Sequence, residues 1–178
     1  MKLALTLALI LLATPALAFQ EPDAFRGIKW ETPFTEAKAI IDREQGAACT
    51  EGITARTCSA QIAIGPIPAS VIYYFTQGED RFFMATLTFE PARYAALSEI
   101  FVERYGAPTN RQTTDRRNPS GRLFINEIST WVGERVAIDI RRYGSTLDDG
   151  RATIGLKVAI ERNREELQKA LKKAKDDL

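Results

Sequence analysis

The sequence predicts an α+β domain: a mostly antiparallel sheet of about seven or eight strands, two helices packed on a face, and a further helix at the C-terminus. Three observations carry this. Residues 128–160 alternate apolar and polar side chains in three runs broken by glycine-containing turns, the mark of half-buried strands. Residues 33–45 and 91–105 place apolar side chains at helical spacing and are followed by Gly46 and Gly106. From Arg162 onward the chain is strongly charged, with a thin apolar stripe.

The elements follow in order. Met1-Lys2, the apolar run from Leu3 to Ala13, the Thr14-Pro15 break and Ala16-Leu17-Ala18 form the pattern of a cleavable signal peptide over residues 1–18. Its apolar run is shorter than the roughly 20 residues that a membrane-spanning helix needs. Residue 19 is Phe, so no lipid-accepting cysteine follows the cut, and the expectation is a soluble periplasmic or secreted chain beginning at Phe19. What remains is one domain over 19–161 and an amphipathic helix over 162–178.

Phe25–Trp30 reads as a short strand with aromatic ends. Thr32-Pro33 then offers an N-cap and a proline at the first helical position, and Phe34, Ala37, Ile40 and Ile41 share one helical face. Ser59–Ile64 alternates and is interrupted by Gly65-Pro66-Ile67-Pro68, whose prolines predict an edge or a crossing loop. Val71–Thr76 and Arg81–Phe89 flank Gln77-Gly78-Glu79-Asp80, a hairpin turn, and the first of these strands is apolar on both faces, as in a central strand. Pro91 opens a second helix with Tyr94, Leu97, Ile100 and Phe101 as its buried stripe. Thr109–Arg122 is polar and reads as a long loop or frayed hairpin tip. Ile128–Val132, Val136–Arg141 and Thr153–Ile160 form the terminal meander. In the last helix, Glu165 and Glu166 come early and Lys169, Lys172, Lys173 and Lys175 late, in accord with the helix dipole.

The pattern Phe34-x2-Ala37-x2-Ile40-Ile41-x4-Gly46-Ala47 recurs sixty residues later as Tyr94-x2-Leu97-x2-Ile100-Phe101-x4-Gly106-Ala107. Two readings are open: an internal duplication of a helix followed by strands, or two unrelated amphipathic helices with glycine ends.

Composition narrows the chemistry. The chain has 24 basic and 23 acidic residues, and loss of the leader removes only Lys2, which leaves the charges balanced. No global field attracts nucleic acid. The absence of histidine removes the usual general base near neutral pH, the usual zinc ligand and every His-dependent triad. Cys49 and Cys58 are close in an exported chain, and a structural disulfide is expected; eight residues between them do not suit a redox pair. No nucleophile motif or phosphate-cradling glycine loop is present, Asp148-Asp149-Gly150 reads as a turn, and the sequence implies no cofactor or metal.

Phe25-Arg26-Gly27-Ile28-Lys29-Trp30, followed by Thr32-Pro33-Phe34-Thr35-Glu36, resembles the opening of small uncharacterised exported proteins of Gram-negative bacteria, which read F-x-G-x-x-W-G-T/S before a helix. Glu31 stands where glycine is common in that pattern. The resemblance implies an envelope address and an α+β fold, and it carries no catalytic residue.

The function expected is therefore that of a non-enzymatic exported protein that binds another protein or an envelope component. A small apolar-ligand carrier and an enzyme of unidentified class are the alternatives. The candidate binding surface is basic: Arg111, Arg116, Arg117 and Arg122 in the polar segment, with Arg141 and Lys157 from the meander. Ala137, Asp139 and Arg141 are expected to share a face with Thr153, Gly155, Lys157 and Ala159. The aromatic cluster of Tyr73, Tyr74, Phe75, Phe82 and Phe83 is either core or the lining of a pocket.

Overall fold

A computed structural model describes residues 19–52 and 55–176. The expected signal peptide and its cleavage site lie outside the described residues. Two short strands, β1 (Ala24–Phe25) and β2 (Ile28–Lys29), form a hairpin. Helix α1 (Phe34–Ile41) precedes a meander of β3 (Gln45–Glu51), β4 (Ala55–Ile64), β5 (Ile67–Thr76) and β6 (Phe82–Phe89). A 3-10 turn at Pro91–Arg93 leads into α2 (Tyr94–Tyr105). A second meander follows: β7 (Asn110–Arg117), β8 (Leu123–Val132), β9 (Val136–Arg141) and β10 (Gly150–Leu156), then α3 (Lys157–Asp176). The eight long strands form one antiparallel sheet in the order β3-β4-β5-β6-β10-β9-β8-β7. The molecule is α+β, as the sequence predicts.

The opening motif has a local cause. Arg26 and Gly27 both have positive φ, +49° and +82°. That pair of angles is the two-residue turn whose twist suits a hairpin, and glycine takes it without a side-chain penalty. The turn lets Phe25 and Ile28 point into the core, where Phe25 meets the ring of Tyr73. Trp30 stacks on Phe82 at 5.1 Å between ring centres, and its indole N–H donates to the Pro22 carbonyl at 2.7 Å.

A row of core residues runs across six strands at one level: Cys58, Tyr73, Ala85, Ile154, Ile138 and Trp131, each directly opposite the next. None is more than 1% exposed. Helix α1 meets this side of the sheet through Phe34, edge-on to Phe75 at 5.2 Å. From α2, Phe101 packs on Trp131, and the Tyr94 and Ser129 hydroxyls are 3.0 Å apart. The aromatic cluster is core: Tyr73, Phe75, Phe82 and Phe83 are buried, the Phe82 ring meets those of Tyr73 and Phe75, and Phe83 meets the half-buried Tyr74. Phe82 and Phe83 are both buried because the register between β5 and β6 shifts there, a bulge that inserts one residue.

The structure corrects six expectations. Phe25–Trp30 is not one strand but the β1–β2 hairpin, turned at Arg26-Gly27 by their positive φ. Helix α1 begins at Phe34 with Pro33, not Thr32, as its N-cap, and no side chain caps it. Helix α1 ends at Ile41 rather than at 45, because Gly46, with φ +67°, serves a bulge in β3 instead of a helix end. Cys49 and Cys58 consequently lie opposite each other on β3 and β4, bonded, with Cα atoms 4.0 Å apart. Pro68 sits inside β5, an interior strand. It is tolerated because the ladder with β6 begins two residues later, at Ser70 opposite Thr88. The polar segment 109–122 is not a long loop: Asn110–Arg117 is an edge strand paired residue for residue with β8, which begins at Leu123, so of the two readings only the hairpin tip holds, and only for the turn at 118–122. Finally, β10 stops at Leu156, and helix α3 begins at Lys157 rather than Arg162. Lys157 and Ala159 therefore leave the sheet face on which they were expected.

The N-terminal segment is tied down by one carboxylate. Glu21 accepts backbone N–H bonds from Glu134, Arg135 and Val136, each 2.6 Å, at the β8–β9 turn. Burial opposes its charge, but the three N–H donors outweigh burial and hold its carboxyl below the ordinary glutamate value. The sign follows from linkage. A lowered folded-state value means the stabilisation is complete above the ordinary glutamate pKa of about 4.3 and is lost as pH falls through the lower folded value. Glu21→Gln is expected to cost about 1–2 kcal/mol near neutral pH, the scale of lost charge-assisted bonds at a partly solvated turn. Urea midpoints of the two proteins should converge in acid; a gap that stays constant from neutral pH into strong acid would contradict the role given to the charge.

Candidate functional site

The side of the sheet that carries Tyr73 and Trp131 is filled with core, and on the other side most side chains, though not Thr86, Asn126 or Ile128, remain at least partly accessible. Register places three rows on it. One is Ser59, Ile72, Thr86, Thr153, Asp139 and Thr130. A second is Thr57, Tyr74, Met84, Gly155, Ala137 and Val132. The third is Gln61, Ser70, Thr88, Arg151, Arg141 and Ile128. Ser59, Gln61, Val132 and Arg141 are exposed, and most of the remainder are half-buried. The three positions contributed by each of β4, β5 and β6 carry no charge at all. The charges on these rows, Asp139, Arg141 and Arg151, stand together on β9 and β10.

This open face is shaped by small residues. A Cβ at Gly155 would come within 2.5 Å of the Phe83 carbonyl oxygen, so β10 and β6 approach more closely than a side chain there allows. At the β9–β10 end, the connection 142–149 folds back onto the corner of the face. Asn126 donates its amide to the Tyr143 carbonyl at 3.1 Å and accepts the Tyr143 N–H at 2.8 Å, while Tyr143 packs edge-on against Phe124. Asp149 accepts from the Thr146 hydroxyl and backbone N–H, which hold its carboxyl below the ordinary range.

The basic residues predicted from sequence divide between the two sides. Arg116 and Arg141 belong to the open face. Arg116 donates to the carbonyls of Gly144 and Ser145, at 2.6 and 3.0 Å, and the Arg141 guanidinium pairs with Asp139. Arg122, in the β7–β8 turn, stacks over Phe124 at 5.3 Å on the same side. Arg111 and Arg117 project from the opposite side of β7, and Arg117 donates to the Gly121 carbonyl. Lys157 stands apart at the start of α3, with its ammonium on the Gly133 carbonyl at 2.7 Å. Sequence reasoning missed Arg151, which lies opposite Arg141 and lines with it a shallow hollow of about 250 Å³ that also includes Asp139 and Ser145. The Nε atoms of Arg151 and Arg142 are buried without a hydrogen-bond partner. Its alternation with Ala152 was legible, but its pairing with Arg141 needs the register.

Two other features bear on chemistry. Tyr73 donates to Glu44 at 2.7 Å, and Glu44 accepts from Arg26 at 2.8 Å, a network that ties the first hairpin and β5 to the turn between α1 and β3. Burial, together with the bond to Glu44, pushes the Tyr73 phenol far above its ordinary value, so it is a fixed donor. A groove of about 760 Å³ runs between α2 and the β7–β8 hairpin, lined by Tyr94, Glu99, Glu103, Arg111, Thr113 and Glu127. Among the described residues there is no cluster of three or more side chains able to hold a metal ion, and no helix is long and apolar enough to cross a membrane. Comparison of the chain with protein-family models, curated proteins and solved structures returns no match.

Proposed function

We propose that this chain is an exported, non-catalytic protein of the cell envelope that binds another protein through the open face of its sheet. The observation that supports this most is the charge pattern of that face. More than a quarter of the chain is charged, at 26%, yet the β4–β5–β6 part of the face carries no charge, and Ile72, Tyr74 and Met84 are half-exposed on it. Depletion of charge around aromatic, Met and aliphatic side chains is the composition of an interface centre rather than of a plain solvated sheet. Arg141 and Arg151, with Arg116 beside them, add a basic rim at one end. The partner chemistry that fits is a protein surface with a neutral centre and an acidic margin.

The address rests on the leader pattern and on the Cys49–Cys58 disulfide, which is compatible with an oxidising compartment. The architecture reads as a duplicated unit. Helix α1 with β3–β6 and helix α2 with β7–β10 have the same element order, and the sheet order is palindromic about the β6–β10 pair. In this reading α1 and α2 lie on the face of Tyr73 and Trp131, which leaves the second face of β4, β5, β6, β10 and β9 for the partner, with the 142–149 connection at its β8 corner.

The test uses the mature chain as bait against envelope extract from cells that make it. A discrete protein retained by the wild type should be lost from Arg141→Glu/Arg151→Glu and kept by Lys169→Glu/Lys172→Glu, which reverses equal charge on α3. Its association with the wild type should slow as salt is raised, since rim charges act mainly on the encounter rate. Equal retention by both double variants would remove the face from the function.

A further inference from the structure

The two edges of the sheet are treated differently. On β3 the edge is interrupted by the bulge between Gln45 and Ala48 and by the positive φ of Gly46. On β7 it is regular: Asn110 to Arg117 pair with Thr130 to Leu123 without a shift, and every residue but Arg116 is exposed. A long, regular, exposed edge is a template for another strand unless something blocks it.

The direction of its free backbone groups can be read from β8. The Glu127 carbonyl accepts the Arg142 N–H, so the odd-numbered residues of β8 bond toward β9 and the even-numbered ones toward β7. The even-numbered residues of β7 therefore face β8, and Arg111, Thr113, Asp115 and Arg117 turn their N–H and C=O groups outward. Among the described residues, neither Arg111 nor Asp115 has a salt-bridge partner.

We infer that β7 pairs antiparallel with β7 of a second copy of this chain, with Thr113 opposite its own symmetry mate and Arg111 opposite the second copy's Asp115. The strand itself selects this register. Antiparallel pairing through outward-facing groups requires odd residues to meet odd residues. Centring the pair on residue 111 opposes two arginines, centring it on 114 opposes Arg111 to Arg117, and centring it on 115 opposes two aspartates. Centring on 112 opposes no charges of either sign. Centring on 116 sets Asp115 against Arg117 but opposes the two Arg116 side chains at its middle. Only the register about Thr113 brings opposite charges face to face, twice, without opposing like ones, and it places a threonine pair between them. Asn110 then meets Arg116, and Gln112 meets Thr114, so no like charges are opposed.

The same register gives two exposed apolar residues a place to go. Leu123 and Ile125, 45% and 47% exposed, lie on β8 beside Arg117 and Asp115, on the helix side of the sheet. Since Asp115 of each copy would sit against Arg111 of the other, Ile125 of each comes to the mouth of the other's groove between α2 and β7, where Ala95 and Val102 offer apolar wall. The two open faces would continue into one another across the pair.

Sedimentation analysis of the full mature chain over a wide concentration range tests this. Wild type should associate reversibly to a dimer, and Arg111→Asp should raise the dimer dissociation constant roughly tenfold or more, because like charges then stand opposite each other twice. The exchange Arg111→Asp/Asp115→Arg should restore association. Circular dichroism and the urea midpoint of each variant separate loss of pairing from loss of fold. Oxidised Thr113→Cys should give a covalent dimer and oxidised Gln112→Cys should not, since only residue 113 is opposite itself. A wild type that stays monomeric at its highest soluble concentration, a dimer indifferent to Arg111→Asp, or equal cross-linking at 112 and 113 would each overturn the inference.

Discussion

Replacing Trp131 with alanine is expected to lower the stability of the domain by about 3–5 kcal/mol, the cost of deleting a fully buried indole from a packed core. Trp131 is the largest of the completely buried side chains and the end of the core row that begins at Cys58. It joins two elements at once. Its ring packs on Phe101, and its N–H donates at 2.8 Å to the carbonyl of Gly106, the residue with φ +86° that ends α2. Trp131→Phe keeps most of the packing and leaves that buried carbonyl without its donor, so it should cost less, about 1–3 kcal/mol. Urea unfolding of the three proteins should show falling midpoints with an unchanged slope. A loss below about 1 kcal/mol for the alanine variant would mean that α2 does not depend on this anchor.

Breaking the Cys49–Cys58 bond should cost about 2.5–3 kcal/mol. The sequence separation of nine makes a short loop, and a short loop removes modest entropy from the unfolded chain. The bond fastens the edge strand β3 to β4, and Cys58 is itself fully buried opposite Tyr73. The variant Cys49→Ser/Cys58→Ala avoids placing a hydroxyl in that core row. Guanidinium unfolding of the wild type with and without reductant, compared with this variant, should give two coincident destabilised curves and one stable one. Identical midpoints for all three would show that β3 is held by pairing and packing alone.

Much of the fold was legible because alternation reports burial directly. The meander from Ile128 to Ile154 and the Gln77–Asp80 turn follow from period two and turn chemistry, and the core stripe Tyr94, Leu97 and Phe101 follows from helical spacing. What escaped was set by neighbours. Strand β7 has no apolar side of its own, since an edge strand can take its order from the ladder with β8, and Thr113 and Thr114 are its only β-branched residues. Val158 and Ile160 continue the alternation of β10, yet the chain turns into α3 at Lys157, whose N–H is taken by the Arg135 carbonyl. Gly46 looks like a helix end and serves a bulge. For the candidate site, sequence placed Arg141 and Asp139 on one face. It could not place Arg151 opposite Arg141, or show that β4, β5 and β6 extend that face without charge, because register between strands distant in sequence is decided by the sheet as a whole.

The central claim is that the open face of the sheet meets a protein partner. Photo-crosslinking in the cell that makes the protein tests it most directly, with a photoreactive residue placed singly at Ser59, Tyr74 or Thr153 on the open face and at Glu99 or Lys29 on the exposed helix side. The account predicts one discrete adduct shared by the three open-face positions, absent from the two helix-side positions and weakened by Arg141→Glu/Arg151→Glu. Adducts of equal yield from both sides, or from the helix side alone, would contradict it.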